Sequence, residues 1–279
     1  DRATPLGHGL LQLQQDARFR SVGLQAHRVV VAPGAPLPPV PGQLLQVYRL
    51  DGTVPVPLPA SAWGRPVTGG AAARLLLIAV GDTPGRQGVI PLAQGFGRGE
   101  VNRLDGDAMA AFVERLHGEH ARSLPGYLGS TITGFFTDEP ALFEPPGWCR
   151  DFASEFERRL GYDPLPHLPG LFGDAGPSTV AFRCDFHEVL SALYRERYFD
   201  PQRLWCDARN LLYGGHLWEN WPWGLAAGVL WQPDPLRLLA AMGIPGVDWT
   251  AGAGRMPASE LKLAASAARL GGRPRSLIE

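Results

Sequence analysis

The run Gly134-Phe135-Phe136-Thr137-Asp138-Glu139-Pro140 constrains the fold more than any other stretch of the chain. Two aromatic, strand-favouring residues lead straight into two acids and a proline. Pro140 has no amide hydrogen to give, so the ladder stops there and the strand ends in carboxylates. The pattern repeats downstream. Tyr213-Gly214-Gly215-His216-Leu217-Trp218-Glu219-Asn220, Ile244-Pro245-Gly246-Val247-Asp248-Trp249 and Arg273-Pro274-Arg275-Ser276-Leu277-Ile278-Glu279 each run towards an acid. Acids at the carboxyl ends of parallel strands lie where α/β barrels and open α/β sheets keep their chemistry.

Helical periodicity fills the intervals between these strands. Met109, Phe112, Val113, Leu116 and His120 recur at helix spacing, with Asp105 or Asp107 available as a cap. Phe152, Phe156 and Leu160 mark a helix stopped by Gly161 and the turn Tyr162-Asp163-Pro164. A longer helix carries Phe182, Phe186, Val189, Leu190, Leu193 and Tyr194, and a third spans about Pro201 to Leu212. Pro235 to Met242 and the face Leu261, Ala264, Ala265 and Ala268 complete the series. Strand and helix alternate from residue 130 onward, which predicts parallel βα units.

Residues 1–100 follow a different rhythm. Val29-Val30-Val31-Ala32, Leu44 to Leu50 and Arg74 to Val80 read as short strands separated by Pro/Gly-rich turns. This part is expected to be an antiparallel β-rich insertion or accessory segment, with 101–279 forming the α/β part.

Composition narrows the function classes. A formal net charge of −1 gives no electrostatic case for nucleic acid or an anionic membrane surface. No run approaches twenty apolar residues, so no membrane span is expected. Cys149, Cys184 and Cys206 match no zinc spacing and are expected to be buried or half-buried free thiols. The sequence opens on Asp1 and closes on Glu279 at a strand end. It therefore reads as a piece of a longer protein, and its compartment and oligomeric state stay open.

Several blocks taken together resemble glycoside hydrolase family 106 and its relatives, the α-L-rhamnosidases and rhamnosidase-like proteins. They are Gly129 to Pro140, Gly161-Tyr162-Asp163-Pro164 with Leu168-Pro169, Arg183-Cys184-Asp185-Phe186, Trp205-Cys206, Gly215 to Glu219, Ile244 to Asp248 and Lys262 to Arg275. The resemblance covers roughly residues 100–279. It implies a partial (β/α)8 TIM-type barrel holding the later strands, with Glu139 ending the fourth and Glu279 the seventh. It further implies a calcium ion near the sugar, for which the sequence offers no ligand set.

Glycoside cleavage needs a carboxylic acid to protonate the leaving oxygen and a second carboxylate to activate water or attack directly. Glu139 is the candidate acid, with Phe135, Phe136 and Pro140 as apolar surroundings and Asp138 as a neighbouring charge that favours the protonated form. Asp138 lies on the opposite strand face by alternation, where a structural role is the default, and is also carried as a substrate contact. Glu279 is the candidate base of an inverting reaction, and Glu219 is the alternative second carboxylate. His216, Trp218, Asp248 and Trp249 are candidate substrate contacts, the rings for stacking and the polar groups for hydroxyls. The aromatic stretch Trp218, Trp221, Trp223 and Trp231 also suits a non-catalytic carbohydrate-binding barrel. A cellulase- or β-galactosidase-type barrel would share the two carboxylates with a different sugar.

Other chemistries find less support. His117-Gly118-Glu119-His120 is not the zinc-protease order and reads as a solvated or capping helix face. Gly95-Phe96-Gly97-Arg98-Gly99 lacks the lysine and the strand–helix frame of a phosphate loop. There is no Gly-x-Ser-x-Gly elbow, and Ser191 and Ser266 fall inside expected helices.

Overall fold

The computed structural model describes residues 13, 16–82, 101–140, 142, 146–217, 232–248 and 258–279. Among these, strands run in the order β1 (Val22–Val31), β2 (Gln43–Arg49), β3 (Val56–Leu58), β4 (Ala73–Asp82), β5 (Gly134–Thr137), β6 (Gly147–Trp148), β7 (Leu212–His216), β8 (Ile244–Val247) and β9 (Leu277–Ile278). They form an antiparallel sheet, β3-β2-β4-β1-β6, and a parallel sheet, β5-β7-β8-β9. The chain is a mixed α/β protein. Among the described residues no helix is long and apolar enough to cross a membrane.

Two compact units divide the chain, and each is interrupted in sequence. The first joins Val22–Pro84 to Pro146–Val189 and contains the whole antiparallel sheet. Residues 146–189, placed by the sequence reading with the α/β part, thus cluster with the β-rich segment. Leu75, Leu76, Leu77, Ile78 and Ala79 of β4 are buried in succession, as in a strand covered on both faces. On one face Leu75 and Leu77 join Val31, Val47, Val67 and Ala73 in a dry core. The same unit holds α3 (Phe152–Leu160) and the first part of α4 (Thr179–Tyr194). Phe152 of α3 and Phe186 of α4 pack with ring centroids 4.8 Å apart.

The second unit holds the parallel sheet with α1 (Gly106–Val113), α2 (Glu119–Ser123), α5 (Asp200–Asp207), α6 (Pro235–Ala240) and α7 (Ala258–Leu270). Asp105 caps α1 by accepting from the amides of Asp107 and Ala108, each at 3.0 Å. Gly161 stops α3 in the left-handed conformation (φ 80°), as its place in the sequence predicts. The expected helix from Pro201 to Leu212 is shorter. It closes at Asp207, Asn210 turns left-handed (φ 54°), and Leu212 already belongs to β7.

One repeated pairing sets the register of the parallel sheet. Gly134 faces Leu212, Gly214 faces Ile244, and Gly246 faces Leu277. A Cβ on Gly246 would lie 2.5 Å from the Leu277 side chain, whereas on Gly134 and Gly214 it would first meet the carbonyl oxygens of Leu212 and Ile244, at 2.6 and 3.1 Å, with their Cβ atoms close behind. From Leu212 to Gly214, and from Ile244 to Gly246, the register advances by the same step along the sheet.

Candidate active site

Strand alternation assigns the two faces of the parallel sheet. Phe135 and Thr137 of β5 and Tyr213 of β7 face the helices. Phe135 lies 5.7 Å from the Trp205 ring, and Thr137 Oγ1 lies 2.8 Å from the Tyr198 hydroxyl. This side is dry: burial drives the Tyr213 hydroxyl well above the ordinary tyrosine range and pushes the Cys206 thiol up to about 12. The opposite face carries Phe136, then Gly214 and His216, then Gly246, then Leu277. Its polar groups lie at the carboxyl ends of the strands.

Three of them meet. His216, only 1% exposed, points Nε2 at Glu279 Oε2 (3.0 Å) and at Asp138 Oδ1 (3.2 Å). Its Nδ1 lies 3.1 Å from the Leu217 carbonyl oxygen, which can only accept, so that nitrogen carries a hydrogen. On the other side of the ring Nε2 lies between the two carboxylates.

The three groups stand at or just beyond the ends of β5, β7 and β9. β5 and β9 are the first and last of four strands, roughly 14 Å apart if the sheet were flat. Yet the nearest ligand atoms of Asp138, His216 and Glu279 all lie within 4.8 Å of one another. The Asp138 and Glu279 side chains reach towards each other over His216 to close that gap.

The three groups could also hold a metal ion, a possibility the sequence did not reveal. Calcium takes six to eight oxygens, and this cluster puts an imidazole nitrogen at its centre, so among the described residues it does not fit calcium. One nitrogen with two carboxylate oxygens is a donor set of the zinc or manganese kind.

Glu139, the candidate acid, follows Asp138 directly and is half-buried. Its backbone is left-handed (φ 43°), a conformation that costs a residue with a Cβ about 1 kcal/mol or more. The strand alternation that put Asp138 and Glu139 on opposite faces identifies the Asp138 face as the one shared with His216. Of the expected apolar surroundings, Phe136 lies on that face, its ring 5.6 Å from the His216 ring, whereas Phe135 is turned to the helices. Asp248 is half-buried one residue beyond β8. Glu219, Trp218 and Trp249 lie outside the described residues, as do Trp221, Trp223 and Trp231.

Two expectations need correction. His117 is not on a solvated helix face but buried, stacked on Phe135 with ring centroids 4.4 Å apart. The local helix is a π turn, Glu114–Gly118, which alters the spacing from which that face was read. Cys149 and Cys206 are buried as expected, but Cys184 is exposed.

Comparison with known proteins defines the fold class as rhamnosidase-like. A solved structure of a rhamnosidase from Novosphingobium sp. PP1Y is similar with a TM-score of 0.55 at 22% sequence identity, over 78% of this chain and 21% of that one. The chain thus spans about a fifth of that protein's length. No protein-family model matches the sequence, and no curated protein matches it.

Proposed function

We propose that the parallel sheet carries the acid–base groups of a glycoside hydrolase of the family 106, α-L-rhamnosidase type. Its strands would be the later strands of a (β/α)8 barrel, with residues 1–100 as a β-rich accessory segment. The observation that carries this reading is that the strand end bearing Asp138 and Glu139 and the strand end bearing Glu279 meet at one buried imidazole, through the Asp138 and Glu279 carboxylates. The similarity of fold to part of a rhamnosidase structure supports it.

In this reading Glu139 is the general acid and Glu279 the base of an inverting reaction. Asp138 does not serve as the partner of Glu279. Their facing oxygens lie within 4.8 Å, whereas an inverting pair stands about 6.5–9.5 Å apart to admit water. His216 acts as the bridge that orients Glu279 rather than as a sugar ligand. Glu219, Trp218, Asp248 and Trp249 remain proposed contacts for sugar hydroxyls and the flat face of the ring, with Glu219 as the alternative second carboxylate. No step in this scheme runs through a metal.

The test uses the intact protein and an aryl α-L-rhamnoside. Glu139→Gln and Glu279→Gln should each lower kcat by at least about 100-fold while calorimetry still detects sugar binding. Asp138→Asn should cost less. Unchanged turnover in either glutamate variant removes that residue from the scheme. A panel of chromogenic glycosides then separates a rhamnoside from a galactoside or glucoside.

A further inference from the structure

The helix-facing side of β5 is gripped at two points. Phe135 stacks on His117, and Thr137 Oγ1 meets the Tyr198 hydroxyl at 2.8 Å. His117 sits in the π turn Glu114–Gly118, and Tyr198 in a second π turn, Arg195–Phe199. Both turns interrupt regular helix, and such insertions re-aim side chains that regular spacing would send elsewhere.

One residue of α5 joins the two grips. Gln202 Nε2 donates to the Tyr198 carbonyl at 2.8 Å. Because that carbonyl only accepts, the other amide atom is the oxygen, and it faces His117 Nε2 at 3.3 Å. His117 Nε2 therefore carries a hydrogen. The path Phe135–His117–Gln202–Tyr198–Thr137 closes on the strand where it began. His117, Gln202, Tyr198 and Thr137 are all buried. The Tyr198 ring is fixed in turn by Phe112, Tyr194 and Phe199, with centroids 6.2, 5.6 and 4.9 Å away.

What this grip holds is the corner immediately after it. Thr137 ends β5, Asp138 meets His216 on the other face, and Glu139 takes its left-handed backbone one residue later. A residue in that region stays there only when its surroundings over-determine it. We propose that Tyr198 is a positioning residue, holding Thr137 through its hydroxyl so that Asp138 and Glu139 keep their places at the strand end. The inference rests on the reading of that corner as part of the active site, and it adds residues that touch no substrate.

The experiment compares Tyr198→Phe, Thr137→Val and Thr137→Ser in the intact protein. The first two remove the contact with almost no change of volume, and the third keeps the hydroxyl. Tyr198→Phe and Thr137→Val should each lower kcat about 10- to 100-fold with KM within about twofold. The double variant should be no worse than either single one, and Thr137→Ser should stay close to wild type. A second readout is independent of turnover: the ring 15N–1H correlations of His216 should move in Tyr198→Phe and Thr137→Val and not in Thr137→Ser. If the wild-type protein cleaves no glycoside, the proposed function falls, and the His216 signals still decide the positioning role. Unmoved signals, additive losses in the double variant, or an equal loss in Thr137→Ser would overturn it.

Discussion

In the antiparallel sheet β4 lies between β1 and β2 and buries five residues in a row, from Leu75 to Ala79, within an aliphatic core. In the parallel sheet Thr137, Tyr213 and Val247 are buried on the helix-facing side, while Phe136 and Leu212 are exposed on the other face. That face thins to glycines and ends in charge, at Asp138, His216 and Glu279. Among the described residues, the non-glycine residues with positive φ, Glu139, Asn210 and Asp234, belong to the unit with the parallel sheet. The first sheet invests its side chains in packing. The second leaves one face to glycines and places polar side chains at its strand ends.

Substitutions test that division, beginning with the largest expected loss. Leu77→Ala, at the centre of the antiparallel core, should cost about 2–5 kcal/mol in urea denaturation. A loss below about 1 kcal/mol would mean that the core lies elsewhere.

His117 tests the dry side of the second sheet. Burial lowers its pKa from 6.5 to about 4. As pH falls below 6.5 the unfolded chain takes up a proton that the folded chain refuses until about 4, so stability is full above 6.5 and is lost between those values. The loss is on the order of 3 kcal/mol, and His117→Gln should flatten the slope of stability against pH across that window. A slope unchanged in the variant would assign the acid sensitivity to other groups.

The smallest effect concerns the glycine face. Gly246→Ala places a methyl group 2.5 Å from Leu277 and 2.8 Å from the Gly215 carbonyl, an overpacking worth about 1–3 kcal/mol. Shortening Leu277 to Ala in the same chain should recover part of that loss. If the two losses simply add, the side chain of Leu277 is not what the glycine accommodates.

Much of this was legible in the sequence where local chemistry decides. Asp105 as a cap, Gly161 as a stop, Pro201 in a first turn and the parallel βα order all follow from neighbouring residues. β6 was not legible, because Gly147 and Trp148 become a strand only by pairing with β1, far away in the chain. Nor was β3, whose Val56-Pro57-Leu58 reads as a proline-broken loop until β2 pairs with it. The π turns escaped for a related reason: the spacing of apolar residues does not report one inserted residue. Acids at strand ends could be seen in advance, but not which face they shared. Alternation separates Asp138 from Glu139 without saying which joins His216, and only the register of β5 on β7 decides it.

The even advance of register from strand to strand has a consequence for how such a protein can diversify. Below the rim, the aliphatic-on-glycine contacts form a lattice that does not depend on what stands above them. Above them, positions 138, 216 and 279 form one unit, because buried His216 ties Asp138 to Glu279 and a change at one reaches the other two. Change in that cluster therefore has to be concerted, while the strands beneath it can stay as they are.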